Sequence, residues 1–354
     1  MTRTGKDIDR HRIIAYLSDG GMWSEEDIDA LKLTHINYAF GLIQNGKVHG
    51  RHLKKLDSLQ RAKSKNPGLK TLISIGGWGA EGFSDAALTE ESREVFAESA
   101  VGFMVEHGFD GIDIDWEYPC CGQAGITARP EDRENFTRLL EAVRERLEQR
   151  AKAGGEKPLL TIALGAGKKY IEDIEMERIH PLLDFINVMA YDMRGSFTSI
   201  TGHHANLFSP WGDMRDISGD LAVSLLLAAG VPAEKIILGA AFYGRLWEKV
   251  RNENTGLHEE AGTTGRRTLN YSELAEKYIG RNGFTRYWDD SAKAPYMFDG
   301  STFISYEDEQ SLEHKANYVT RRNLGGMMFW EYPLDRTGRL LNKIHSVLGR
   351  EQHT

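Results

Sequence analysis

The chain has 354 residues, of which 40% are hydrophobic and 27% charged, a composition that indicates a large core and excludes general disorder. Its 44 basic and 52 acidic residues leave a net charge of −8, so no basic surplus can neutralise phosphates, and we expect neither nucleic acid nor a membrane as partner. No apolar run approaches the roughly 20 residues that span a bilayer, and residues 1–12 are polar rather than signal-like. The compartment stays open: cytoplasmic as the chain stands, or extracellular if an export signal was removed.

Eight short runs rich in β-branched residues predict strands. In chain order they are 13–17, 35–40, 71–75, 109–115, 159–164, 184–190, 236–242 and 326–330. Amphipathic stretches between most of them predict helices, for example over 92–107, 131–152 and 220–229. Because eight βα units suggest a closed parallel barrel rather than an open sheet, the sequence predicts an α/β fold, a (β/α)8 TIM barrel.

The segment between the seventh and eighth predicted strands is too long for a single helix. Residues 246–306 predict a small α+β insertion, in which residues 268–279 contain a helix capped by Asn270 or Ser272 and extended pieces lie over 286–288 and 294–298. We expect one catalytic domain over 1–354 that contains this insertion as a wall or lid of the active face. A monomer is the default expectation.

Three carboxylates alternate along the fourth predicted strand. Because residues two apart share a face of a strand, Asp113, Asp115 and Glu117 point together toward the barrel axis. Neighbouring buried carboxylates raise one another's pKa, and a raised pKa makes a general acid. Glu117 is nearest the C-terminal mouth, where barrel enzymes carry their chemistry, and is therefore the predicted catalytic acid. Asp110 lies off this row, and we predict a structural role for it.

Two other interpretations of the acidic row stay open. A solvated sheet edge would explain it, but the apolar residues on the opposite face argue against that. A divalent metal site would also explain it, although such sites usually collect ligands from several strands. We expect no metal, including at His203 and His204, because no cysteine or carboxylate lies at a ligand-like spacing near them, and no cofactor.

The sequence resembles glycoside hydrolase family 18 in five motifs. The family hallmark Asp-x-x-Asp-x-Asp-x-Glu is matched by Asp110, Asp113, Asp115 and Glu117; Ser-x-Gly-Gly is matched by Ser74-Ile75-Gly76-Gly77, with Trp78 next; Met-x-Tyr-Asp is matched by Met189-Ala190-Tyr191-Asp192; Tyr243-Gly244-Arg245 and Phe329-Trp330-Glu331 are similar to bacterial chitinases of the family. The similarity runs in the expected order from residue 13 to residue 330, nearly the whole chain.

The resemblance implies a retaining chitinase that cleaves β-1,4-linked N-acetylglucosamine, so that chitin or chito-oligosaccharides are the expected partners. In this family the substrate's own acetamido group is the nucleophile. The resemblance assigns proton transfer to Glu117, acceptance of the acetamido N–H to Asp115, proton exchange with Asp115 to Asp113, and donation to the acetamido oxygen to Tyr191.

The resemblance also implies a substrate-binding set. Trp330 would lie beneath the distorted sugar and Trp78 would stack on the leaving-group side. The remaining members are Met189, Asp192, Tyr243, Arg245, Phe40 and Gly77, with Tyr16 and Ser74 as supports of the aspartates. Non-proline cis peptide bonds are implied at Ala39–Phe40, Glu117–Tyr118 and Trp330–Glu331. Trp116 is predicted to be core, whereas Trp23, Trp211, Trp247 and Trp288 are open between outer subsites and loop packing.

Two alternative functions remain open, and one feature, a pair of cysteines, departs from the family pattern. An endo-β-N-acetylglucosaminidase acting on glycans would use the same motifs, and a non-catalytic chitin-binding lectin shares the barrel, although the presence of Glu117 favours catalysis. The only cysteines, Cys120 and Cys121, are adjacent and cannot join distant segments. They are predicted to be free thiols, with a strained vicinal disulfide or a reactive pair as alternatives.

Overall fold

The computed structural model describes residues 11–152, 154, 156–213 and 217–349. Within them lie the strands β1 (Arg12–Ser18), β2 (His35–Gln44), β3 (Lys47–His49), β4 (Lys70–Gly76), β5 (Gly111–Asp115), β6 (Leu159–Gly165), β7 (Phe185–Met189), β8 (Ile236–Ala241), β9 (Tyr243–Trp247), β10 (Arg267–Asn270), β11 (Thr285–Asp289), β12 (Ala294–Phe298), β13 (Phe303–Ser305) and β14 (Gly326–Trp330). The α-helices are α1 (Leu56–Ser64), α2 (Phe83–Ala86), α3 (Glu90–Glu106), α4 (Asp132–Lys152), α5 (Lys168–Glu172), α6 (Met176–Ile179), α7 (Gly219–Ala228), α8 (Tyr271–Lys277), α9 (Glu309–Arg321) and α10 (Arg339–Leu348).

Eight parallel strands form a closed barrel in the order β1, β14, β8, β7, β6, β5, β4 and β2. The direct pairing of β1 with β2 closes the sheet. The predicted (β/α)8 TIM barrel is thereby confirmed, and each of the eight predicted runs is one of its strands. The second strand is longer than predicted because β2 continues past the barrel into an antiparallel hairpin with β3.

The helices α3, α7 and α9 each follow a residue whose side chain accepts a bond from a backbone N–H of the first turn. The hydroxyl of Thr89 accepts a bond from Ser92 N at 3.1 Å, and Ser92 Oγ accepts one from Thr89 N at 3.0 Å. This reciprocal cap explains why α3 begins at Glu90, two residues before the predicted start. Among the described residues, no helix is both long enough and apolar enough to cross a membrane.

The segment between β8 and β14 contains a separate antiparallel sheet in the order β10, β9, β13, β12 and β11. It begins at Tyr243, immediately after the barrel strand β8, and therefore earlier than the predicted segment 246–306. The insertion helix α8 follows Asn270, whose side chain makes no capping bond. Two residues expected near the active face, Tyr243 and Arg245, belong to β9 and so join this sheet to the barrel.

Apolar side chains pack in two layers that follow the alternation of the barrel strands. On β1, Ile14 and Tyr16 belong to a small cluster inside the barrel, whereas Ile13, Ala15 and Leu17 belong to the large cluster between strands and helices. The same parity holds on β5, where the isoleucines face the helices. The barrel interior is therefore filled by side chains that include polar groups, and those polar groups need partners within it.

A buried ion pair secures the barrel near the insertion. Lys315 on α9 and Glu307 are 0% and 1% exposed, and Lys315 Nζ lies 2.8 Å from Glu307 Oε1. The same Glu307 oxygen accepts a bond from Ala241 N at 2.9 Å, and Lys315 Nζ donates to Gly239 O at 3.2 Å. These bonds tie α9 to the end of β8, directly before the residues that lead into the candidate site.

Candidate active site

The acidic row lies at the C-terminal end of β5, as its alternation predicts. Asp113 is 0% exposed and Asp115 is 3% exposed, whereas Glu117 follows the strand and is partly open to the barrel mouth. Trp116 points the other way and stacks on Phe83 of α2 with ring centroids 5.3 Å apart, which makes it a core residue. The row is buried, so a solvated sheet edge is excluded.

Four neutral donors surround the Asp113 carboxylate. Oδ2 accepts bonds from Tyr16 Oη at 2.8 Å and Ser74 Oγ at 2.7 Å. Oδ1 accepts bonds from Thr161 Oγ1 at 2.5 Å and Asn187 Nδ2 at 3.2 Å. Burial raises the pKa of Asp113, and these four bonds oppose the rise. Tyr16 and Ser74 therefore contact the aspartate as the resemblance implies, while Thr161 and Asn187 complete a set that the motifs do not reveal.

The pKa values of the other two carboxyl groups are also raised, which favours their protonated forms. Burial raises the pKa of Asp115 well above its usual range, and the charges of Glu117 and Asp113 raise it further. Asp115 Oδ1 is buried and makes no hydrogen bond to any described residue. Burial also raises the pKa of Glu117 to about 7, with the charge of Asp192 adding to the rise and a bond from Tyr118 opposing it. A carboxyl with this pKa can both donate and accept a proton near neutral pH.

Tyr191 follows β7 and lies beside the acidic row. Its pKa is raised well above the usual range by burial and then by the charges of Asp115 and Glu117, so the hydroxyl keeps its proton. Within the described chain, the one acceptor recorded for that hydroxyl is Met328 Sδ at 3.8 Å, a weak partner. The hydroxyl is consequently available to a stronger acceptor in the cleft.

Asp192 follows Tyr191 and its side chain is 43% exposed. Oδ1 accepts bonds from Tyr243 Oη at 2.7 Å and Arg245 Nε at 2.5 Å, and His204 Nδ1 lies 3.6 Å away. Burial alone would raise the pKa of Asp192, but the neighbouring His204 ring and the hydrogen-bonded guanidinium of Arg245 outweigh it and hold the pKa below its usual range. The carboxylate therefore stays charged.

An aromatic floor lies at the end of β14. The Trp330 ring stacks on Phe40 with centroids 5.6 Å apart and an interplanar angle of 15°, and its centroid is 5.7 Å from that of Tyr16. Gly77 has a φ of 92°, and a Cβ there would lie 2.7 Å from Phe40 Cε2, so only glycine lets the chain pass this ring. Met189 belongs to the small apolar cluster inside the barrel, against which Trp330 packs.

A second group of aromatic rings lies beside Tyr118, the residue that follows Glu117. Trp78 is 54% exposed and Phe197 is 68% exposed, with ring centroids 6.3 Å apart. The Trp78 centroid is also 6.4 Å from that of Tyr118. The motifs identify Trp78 but not Phe197, which stands five residues after Asp192 in a loop whose path the sequence does not reveal.

Several smaller expectations are also answered. The peptide bonds Ala39–Phe40, Glu117–Tyr118 and Trp330–Glu331 are cis. Asp110 lies outside the cleft, where Oδ2 accepts bonds from Lys63 Nζ at 2.6 Å and Thr71 N at 2.7 Å, a structural role. Trp23 and Trp247 are buried, whereas Trp211 is 91% exposed. It lies beside the β11–β12 turn, where its backbone N–H donates to Ser291 Oγ at 3.1 Å.

The paired histidines and cysteines take part in ordinary packing. His203 Nε2 lies 3.1 Å from Asp289 Oδ2, and among the described residues no group of three or more His, Cys, Asp and Glu side chains has metal-site geometry. Cys120 and Cys121 are both free and half-buried. Burial raises the pKa of the Cys120 thiol, which disfavours the reactive thiolate.

A parallel barrel whose mouth combines a protonatable carboxyl, two buried aspartates and exposed aromatic rings has the site of a glycoside hydrolase. Comparison with known proteins agrees. The model of a family described as "Glycosyl hydrolases family 18" matches residues 12–335. The chain belongs to this family.

Three relatives indicate the range of the similarity. Chitinase A1 of Niallia circulans is 35% identical in an alignment of 415 residues, and the alignment covers 98% of this chain but only 59% of that protein. The chain thus spans less than two thirds of the length of chitinase A1. Chitotriosidase-1 of Mus musculus is 33% identical over 347 residues, covering 92% of this chain and 73% of that protein. The solved structure of a family 18 N-acetylglucosaminidase from Paenibacillus barengoltzii has a TM-score of 0.92 at 48% identity, covering 95% of this chain and 99% of that one.

Proposed function

We propose that this chain hydrolyses β-1,4 bonds between N-acetylglucosamine units of chitin or chito-oligosaccharides, with retention of anomeric configuration and assistance by the substrate's acetamido group. The observation that carries the proposal is Glu117, a carboxyl whose pKa is raised to about 7 at the barrel mouth, beside two buried aspartates. No second carboxylate is needed as nucleophile when the sugar supplies one.

In the first step, Glu117 protonates the glycosidic oxygen while the acetamido carbonyl oxygen attacks the anomeric carbon. The bond to the leaving sugar breaks, its electrons stay with the departing oxygen, and an oxazolinium ion forms. In the second step, Glu117 takes a proton from water as that water attacks the anomeric carbon on the face opposite the oxazolinium oxygen. Two inversions at one carbon amount to retention.

Asp115 and Asp113 serve the acetamido group in this proposal. Asp115 Oδ1, which is buried without a partner among the described residues, accepts the acetamido N–H. As positive charge develops on the oxazolinium ion, an ionised Asp115 becomes more favourable, and Asp113 can take up its proton. The four donors around Asp113 hold that carboxyl in place during the exchange.

The sugar at the cleavage point is proposed to rest on Trp330, since the flat face of a pyranose packs well against an indole ring. The Tyr191 hydroxyl, which otherwise contacts the weak acceptor Met328 Sδ, donates a hydrogen bond to the acetamido oxygen. Asp192, Tyr243 and Arg245 form the polar rim of the same subsite, and Phe40, Gly77 and Met189 shape its apolar wall. Trp78 lies under the first sugar of the leaving group.

The proposed function is tested with purified protein and N-acetylglucosamine oligomers, with the products followed by proton NMR. We expect β-anomeric products first, before mutarotation, and no cleavage of the fully deacetylated oligomers, because these lack the nucleophile. First release of α-anomers, or equal cleavage of deacetylated chains, contradicts substrate assistance. Binding of oligomers without any cleavage would support the lectin alternative.

The alkaline limb of the pH profile should report the ionisation of Glu117. Since the first step needs its protonated form, we expect kcat/KM to fall as pH rises through about 7. The variant Asp192→Asn removes a negative charge that raises this pKa, so the limb should move to lower pH, in addition to any loss of substrate contact. The measurement is kcat/KM against pH for a soluble oligomer.

Asp290→Asn is the matched control, because it removes the same charge from a carboxylate that is 82% exposed and paired with Lys293 on the insertion hairpin. Its alkaline limb should coincide with that of the wild type. If Asp192→Asn leaves the limb in place, Asp192 does not set the pKa of Glu117.

A further inference from the structure

We propose that the cleft binds its substrate mainly on the leaving-group side and therefore releases one or two sugars at a time from the non-reducing end of the chain. This rests on the proposed function and adds the direction of attack to it. The argument depends on which aromatic side chains beside Glu117 are exposed and which are covered.

The two sides of the cleft follow from the proposed chemistry. The sugar whose acetamido group meets Asp115 and Tyr191 lies on Trp330, against β1, β2 and β14. The glycosidic oxygen must face Glu117, so the leaving sugars extend toward Tyr118 and Trp78. The non-reducing part of the substrate extends in the opposite direction, past Trp330.

The leaving-group side offers a platform. Among the described residues, the Trp, Tyr and Phe side chains that are exposed are Trp78, Phe197 and Trp211. Trp78 and Phe197 are neighbours, with centroids 6.3 Å apart, and Trp211 contacts the insertion hairpin instead. Two adjacent exposed rings can pack against successive sugars of the leaving chain.

Past Trp330, the chain is covered by the turn that follows β1. Ser18 N donates to Glu331 Oε2 at 2.9 Å, and a Cβ on Gly21 would lie 2.8 Å from Pro333 Cγ. This turn therefore packs directly on the residues that follow Trp330. The one strongly exposed apolar side chain within residues 18–23 is Met22, at 77%, which offers no flat ring to a sugar.

Trp23 is the aromatic residue of that turn, and its ring is not available to a sugar. It is 6% exposed, and its indole N–H donates to Ser18 O at 2.8 Å. Lys55 Nζ lies 4.9 Å from the ring centroid and donates to Gly21 O at 2.5 Å and Trp23 O at 3.1 Å. Asp19 Oδ1 accepts bonds from the backbone N–H groups of the segment that contains Lys55, which holds the turn in this conformation.

The direction of attack is tested with the N-acetylglucosamine hexamer carrying ¹⁸O at its reducing end, by mass spectrometry at early conversion. We expect unlabelled mono- or disaccharides together with labelled products one or two sugars shorter than the substrate. Labelled mono- or disaccharides, or products of all lengths in similar amounts, overturn the proposal while leaving hydrolysis itself intact. Absence of cleavage overturns the proposed hydrolysis, and the direction with it.

A second measurement tests the platform. Phe197→Ala should lower kcat/KM for the hexamer by about tenfold while leaving it within about twofold for the dimer, because the dimer's single leaving sugar is held by Trp78. Trp211→Ala, an equivalent loss of an exposed ring outside the cleft, should change neither. Equal losses on both substrates, or no loss on the hexamer, overturn the assignment of binding energy to the leaving-group side.

Discussion

Replacing Glu117 by Gln should lower kcat for chito-oligosaccharide hydrolysis by about 10³- to 10⁴-fold, the upper range for loss of a general acid–base. The amide has nearly the same shape but cannot transfer a proton in either step. KM for the oligomer should change little, since Asp115, Tyr191 and Trp330 remain. Steady-state kinetics with a soluble oligomer measure both quantities.

Stability separates this effect from misfolding. The native pKa of Glu117 is about 7 against an ordinary 4.5, so between these values the native state holds a proton that the unfolded chain has lost. This contribution to stability declines as pH rises from 4.5 through 7. Above pH 7, Glu117→Gln should therefore melt at or above the wild-type Tm. A variant with full activity would show that Glu117 is not the catalytic acid. A lower Tm would contradict the raised pKa of the Glu117 carboxyl.

Replacing Asp115 by Asn should lower kcat by about 10²- to 10³-fold, the cost of removing one preorganised group that stabilises developing charge. The amide retains an oxygen that can accept the acetamido N–H, but it cannot become an anion opposite the oxazolinium ion.

The same motif supplies the control. Asp110→Asn makes an identical change three residues before Asp113, at a carboxylate that contacts Lys63 and Thr71 and lies outside the cleft. We expect it to destabilise the fold by about 1–3 kcal/mol and to leave kcat per folded molecule near the wild-type value. Denaturant unfolding and active-site titration measure the two effects. Equal kcat losses for both variants would mean that Asp115 acts only through the fold.

The local patterns predicted the barrel correctly because strand alternation depends on neighbours in the chain. Residues two apart share a face, so the row from Asp113 to Glu117 and its direction follow from the sequence. The start of α3 was misplaced because its cap, Thr89 with Ser92, is a pair of polar side chains outside the apolar pattern. The sequence does not mark where the insertion begins, because β9 follows β8 almost without a break.

The partners of the acidic row were only partly predictable. Ser74 belongs to a recognisable motif and Tyr16 is implied by the family resemblance, whereas Thr161 and Asn187 are single polar residues in apolar strands. Strand alternation directs these two side chains into the barrel, and this predicts a contact, because a polar group inside a barrel must find a partner. Phe197 gave no such signal, since it stands in an irregular loop after β7.

The sequence by itself determined the order of the strands, the inward row of carboxylates, the family and the residue proposed as the acid, because these depend on spacing along one segment. Only the tertiary structure decided the pKa of Glu117, the four donors on Asp113, and which aromatic rings are exposed. These depend on groups far apart in the chain, such as Asp192 near Glu117 and Lys55 over Trp23. Burial and electrostatic interactions act through space, and so the chemistry of the cleft emerges when the barrel closes.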